Sequence, residues 1–147
     1  MMFSDFVLLL NALWFSGAFI QFSIAQPNTL KILVPREERG NPIAPTLSAS
    51  VAFLGAINLP IGLLSLYLLL LRPAFFQAID AQLALFAFFA ACHFSQFAYN
   101  LPVLMRGGRV GAAYWPVLTG PMLRIFVIDA VLFVANLLAA LLLVPRS

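Results

Sequence analysis

The sequence predicts an all-α integral membrane protein, an antiparallel bundle of four transmembrane helices, and two observations carry that expectation. Of 147 residues, 63% are hydrophobic and only 9% charged, against roughly 45–50% and about 25% in an ordinary soluble domain; the mean hydropathy is +1.03. The apolar residues also fall into four long runs separated by Pro, Gly and charge, each near the roughly 20 residues that cross a hydrocarbon layer. Four crossings with short connections use up the chain, so a single membrane domain over 1–147 is expected, with no soluble domain left over.

Charge and cysteine content exclude further classes. Eight Lys plus Arg and five Asp plus Glu cannot coat a water-facing globule. The pI of 9.6 reflects scarce acids rather than a basic patch, so no nucleic-acid partner is expected, because phosphate affinity needs clustered cations. One cysteine, Cys92, lies in an apolar run and gives neither a disulfide framework nor a Cys-rich metal site.

The first crossing is read over residues 6–25, an uncharged run closed by Gln26, Pro27 and Asn28. A cleavable leader is the rival reading, since Ser23 and Ala25 form a passable small-x-small site. No Lys or Arg precedes the run as a leader requires, so a retained helix is expected. Residues 26–46 hold Pro27, Pro35, Pro42 and Pro45 among five charges and are expected to be a surface loop, because each Pro removes a backbone donor. Within it Leu30, Ile32, Leu33 and Val34 beside Lys31 suit either a short stretch on the headgroups or a packed cap.

The second crossing, 47–71, ends at Arg72 and Pro73 and contains Pro60, with Asn58 and Ser65 near enough to satisfy a freed carbonyl. The third, 79–101, begins near Asp80 and closes at Pro102. It is the most polar of the four, with Cys92, His93, Ser95, Gln96, Tyr99 and Asn100. Within the connection, residues 105–116 carry two Arg, three Gly and a Tyr114–Trp115 pair that reads as an interfacial anchor. Pro116 and Pro121 then break the start of the last run, so its regular helix is placed over 122–144, with Arg124 near its entrance and Asp129 and Asn136 deeper.

Positive charges set the expected orientation. Lys31, Arg36, Arg39, Arg106, Arg109 and Arg124 fall on one side and only Arg72 and Arg146 on the other. Loops 26–46 and 102–121 are therefore expected to be cytoplasmic and both termini non-cytoplasmic.

Two polar patterns stand out. In the second crossing Ser48, Ala52, Gly55, Asn58, Gly62 and Ser65 recur at steps of three and four and share one face, a helix-packing seam of the kind small residues make in membranes. In the third, His93, Gln96 and Asn100 continue a stripe running back through Phe89, Phe86 and Gln82. Asp129 is its expected companion, because an ionisable group at depth turns to the protein interior or a water cavity. At 1.5 Å per residue, His93 lies about 12 Å in from Leu101 and Asp129 about 11 Å in from Met122. A His93–Asp129 contact is expected, each partner lowering the other's cost of burial. Arg124, about 3 Å in, matches the level of Asn100 and is expected to snorkel to headgroups or to reach an anion.

His93, Gln96, Asn100, Arg124 and Asp129 are thus candidates for ligand binding or proton relay, and equally for a polar clasp that fixes helix register. There is no nucleophile motif, phosphate loop or HExxH. A single histidine excludes a bis-His haem or a His cluster within one chain, and a lone intramembrane carboxylate leaves no paired-carboxylate mechanism. No catalytic residue, metal or cofactor is assigned.

Residues 46–53, TLSASVAF, after a Pro-rich loop, and 90–100, AACHFSQFAYN, resemble the small four-helix ergosterol-biosynthesis scaffold family, with His93, Phe94 and Ser95 carrying the likeness. Ser50 and Asn58 stand where that family tends to place Arg, and Asp129 is added. The resemblance implies a non-enzymatic endoplasmic-reticulum tether for sterol C4-demethylation enzymes. The expected function is accordingly a non-catalytic scaffold or accessory subunit, with membrane lipids and either a membrane-protein partner or further copies of itself as partners. The alternative is a small carrier or binder of a lipid, sterol or quinone at His93 and Asp129.

Overall fold

Proline placement decides where the helices begin and break. The computed structural model describes residues 3–34, 36–110, 113–114 and 117–144. It is all-helical apart from one two-residue ladder, with α1 (Phe3–Phe19) running on as a π-helical turn (Ile20–Ile24), then α2 (Gln26–Leu33), α3 (Ala44–Ala56), α4 (Asn58–Leu71), α5 (Ile79–Met105) and α6 (Gly120–Leu141). Four helical stretches are long and apolar enough to cross a membrane: Phe3–Ile24, Ala44–Leu71, Ile79–Met105 and Met122–Leu141.

Residues 26–46 are not the continuous surface loop expected. Pro27 opens α2 and Pro45 opens α3 from their first turns, where the missing N–H has no intrahelical acceptor and the fixed φ suits a helix. Pro102 likewise does not close the third span: it lies inside α5, which continues to Met105. Its cost there is one i to i−4 bond near a helix end. Pro60 does interrupt its helix, as α3 ends at Ala56 and α4 restarts at Asn58, and Asn58 Nδ2 donates to the Gly55 carbonyl at 2.9 Å. Ser65 instead donates to the Ile61 carbonyl of its own turn at 3.0 Å. Pro35, Trp115, Pro116 and Arg146 lie outside the described residues.

The chain divides into two compact units: Leu8–Leu71, and Met1–Val7 together with Arg72–Ser147. In the first, the seam of the second span meets α1 and the π-helical turn at close range. A Cβ on Gly62 would sit 2.8 Å from Ser16 Oγ and 3.1 Å from Ser16 N, and one on Gly55 would sit 2.6 Å from Phe22 Cβ. Ser23 Oγ donates to the Ala52 carbonyl at 2.9 Å. The π-helical turn therefore packs where the second span is itself interrupted. Just beyond it, Thr29 Oγ donates to the Gln21 carbonyl at 2.6 Å and accepts from Gln21 Nε2 at 3.0 Å, setting the start of α2 against the end of the first span. Arg39 caps the other end of α2, donating to the Lys31 and Val34 carbonyls.

In the second unit α5 and α6 pack along most of their length. Gly107 and Gly108, at φ 67° and 81°, turn the chain after α5 into the ladder, in which Arg109 pairs with Tyr114 and Val110 with Ala113; only glycine enters that backbone region without strain. At the unit's other connection Arg72, just past α4 and at φ 41°, reaches Asp5 in the first turn of α1 with an N···O distance of 2.7 Å. Each charge also complements the dipole of the helix end it occupies.

Candidate functional site

The site is built on the α5–α6 contact. Phe97 stacks on Phe126 with ring centroids 4.8 Å apart, and Phe94 tilts against Phe133 at 5.1 Å. As numbers rise along α5 they fall along α6, which brings position 93 to position 129. There His93 Nδ1 lies 3.0 Å from Asp129 Oδ1, and both side chains have zero exposure. With Asp129 as the carboxylate, its oxygen accepts and the matching imidazole tautomer is the one with the proton on Nδ1. Phe89 and Phe86, one and two turns before His93, are also wholly buried and pack in the interior.

Gln96 and Arg124 do not join the pair. Gln96 and Arg124 are exposed and Asn100 is half-buried, its Nδ2 donating to the Gln96 backbone carbonyl at 2.9 Å. Azimuth explains the separation. At 3.6 residues per turn Gln96 is about 60° round the helix from His93, and Arg124 about 140° round from Asp129. Arg124 shares a depth with Asn100 but not a face with Asp129. Gln82, at the start of the stripe, donates to the Phe76 carbonyl at 2.9 Å and ties α5 to the turn before it.

Asn136 is the polar residue that the sequence reading left out of the site. It is wholly buried on α6 and donates to the Leu132 carbonyl at 2.8 Å. Its position seven residues after Asp129 marks the same face, a signal available from spacing alone. Among the described residues no group of three or more His, Cys, Asp or Glu side chains is placed to hold a metal ion. Both side chains of the imidazole–carboxylate pair have zero exposure, and the pair links α5 to α6.

No family model matches the chain, and neither a curated protein nor a solved structure matches it.

Proposed function

We propose that this chain is a membrane-inserted pair of antiparallel helical hairpins that serves as a non-catalytic scaffold or accessory subunit for membrane proteins. The observation that carries the reading is the sealing of His93 and Asp129 at zero exposure, while Gln96 and Arg124 point outward. A relay or ligand site needs its polar groups to converge on a space, whereas a register clasp needs them to meet and be covered. Opposed numbering supports the antiparallel arrangement within each hairpin: Ser16 with Gly62 and Phe22 with Gly55 in one, Phe97 with Phe126 and Phe94 with Phe133 in the other.

Lipid tails are as apolar as leucine, so hairpins in a bilayer are held by close backbone approach and buried polar bonds. Gly55, Gly62 and the His93–Asp129 pair supply both kinds of contact. A tether of the ergosterol-biosynthesis kind is one form this role takes. Native mass spectrometry of the protein taken from its own membrane in mild detergent tests the role. A membrane protein held at fixed stoichiometry is the expected result. A solitary chain carrying one bound lipid or quinone overturns it, as does proton flux in vesicles of the purified protein that Asp129→Asn abolishes.

A further inference from the structure

Where α5 passes into α6, positive charge stands without an acid to balance it. Between Asp80 and Asp129 the sequence has no Asp or Glu, yet it has Arg106, Arg109 and Arg124. Of the acids in the same compact unit, Asp5 pairs with Arg72 and Asp129 with His93. Asp80 lies at the opposite end of α5, about 38 Å along the axis from Met105. Arg106 and Arg124 form no ion pair among the described residues. Arg106 is fixed by its backbone: Gly108 N–H donates to the Val103 carbonyl at 2.9 Å and Gly107 N–H to the Leu104 carbonyl at 3.0 Å, a helix close that glycines at positive φ permit. Arg109 follows in the ladder. Arg124 lies two residues, about 3 Å, inside the fourth span, which begins at Met122. Asp129, the acid next along α6, points about 140° away from it toward α5. A guanidinium at an apolar span is costly unless an anion or water meets it.

We infer that this end of the α5–α6 pair binds the phosphate of an anionic phospholipid, with Arg124 as its inner ligand and Arg106 and Arg109 as the outer ones. The inference rests on the membrane reading proposed above and not on the partner role. The planar fork of an arginine matches two phosphate oxygens at once, and its stem lies along hydrocarbon while the head rises to the interface. The antiparallel stack of Phe97 on Phe126 sets Arg124 near the level of Asn100, with Arg106 about 9 Å further out along the axis. The cations therefore run from the edge of the apolar layer into the headgroup zone. Three guanidinium groups against no carboxylate favour a lipid of net negative charge, because a zwitterionic headgroup brings a cation of its own into the cluster.

Electron spin resonance of spin-labelled lipids tests this on the full chain reconstituted in phosphatidylcholine vesicles. The protein-restricted fraction is expected to favour phosphatidylglycerol about five-fold over phosphatidylcholine of the same acyl chains. Arg124→Gln is expected to remove most of that preference and Arg106→Gln to lower it; should Arg124→Gln fail to reconstitute, Arg106→Gln carries the same reading. Arg36→Gln, at an exposed position followed by Glu37 and Glu38, removes the same net charge and is expected to keep the preference. Equal holding of the two lipids, a preference unchanged in Arg124→Gln, or an equal loss in Arg36→Gln overturns the inference. So does inorganic phosphate that displaces phosphatidylglycerol where sodium chloride of equal ionic strength does not, because the cluster then serves a soluble anion. The two failures are distinguishable: no restricted component for either lipid removes the membrane reading itself, and a restricted component without preference removes only the phosphate site.

Discussion

Replacing Asp129 by Asn keeps an oxygen for the His93 Nδ1–H and removes the charge, so Asp129→Asn should cost less than about 1 kcal/mol of unfolding free energy. Asp129→Leu leaves the buried imidazole without its acceptor and should cost about 1–3 kcal/mol. Denaturation in mixed detergent micelles, followed by helix content, measures both; equal losses would mean that the hydrogen bond is not what the carboxylate contributes. The meeting of His93 with Asp129 was legible because depth is a count along each helix, and the two counts agreed. A depth count carries no azimuth, and azimuth is what keeps Gln96 and Arg124 apart from the pair. The buried arc of α5 holds Phe86, Phe89, Ala90 and His93, and Gln96 falls just outside it.

The seam between α1 and the second span makes a sharper forecast. Gly55→Ala and Gly62→Ala each drive a methyl into Phe22 or Ser16 at 2.6–2.8 Å, with backbone atoms immediately behind, so the helices must separate at a cost of about 1–3 kcal/mol. Gly17, exposed on α1 with nothing within 4 Å of an added Cβ, is the control. Gly17→Ala should stabilise by about 0.5–1 kcal/mol through helix propensity alone. Thermal unfolding of the three variants in one detergent checks the order, and a destabilised Gly17→Ala would count against this helix register. The seam was readable from spacing, since six small or polar residues at steps of three and four define a face in any helix. The helix ends were less so. A proline reads locally as a breaker, yet Pro27 and Pro45 start helices and Pro102 is absorbed near the end of one. Which of these happens depends on whether the lost N–H had an acceptor, and that is known only once the helix exists. The π-helical turn at Ile20–Ile24 leaves no trace in hydrophobic spacing; its signal lies in the distant carbonyl of Ala52 that Ser23 meets.

At the scale of the whole chain, the distribution of Lys and Arg predicts sidedness that can be measured directly. With Cys92 replaced by Ala, Asn41→Cys should be shielded from a membrane-impermeant maleimide in intact cells and Ala74→Cys should react; labelling of Asn41→Cys alone would invert the topology. Both positions are exposed, so shielding reports the membrane rather than packing. The Asp5–Arg72 pair adds a temporal constraint. Its side chains are 14% and 55% exposed, so its worth in water is about 0–1 kcal/mol, and Arg72 gives up something of that order to hold φ at 41°. Asp5 lies before the Leu8–Leu71 unit in chain order and Arg72 directly after it, so the ion pair closes a loop over that whole unit and can form only once the end of α4 has come back to the start of α1.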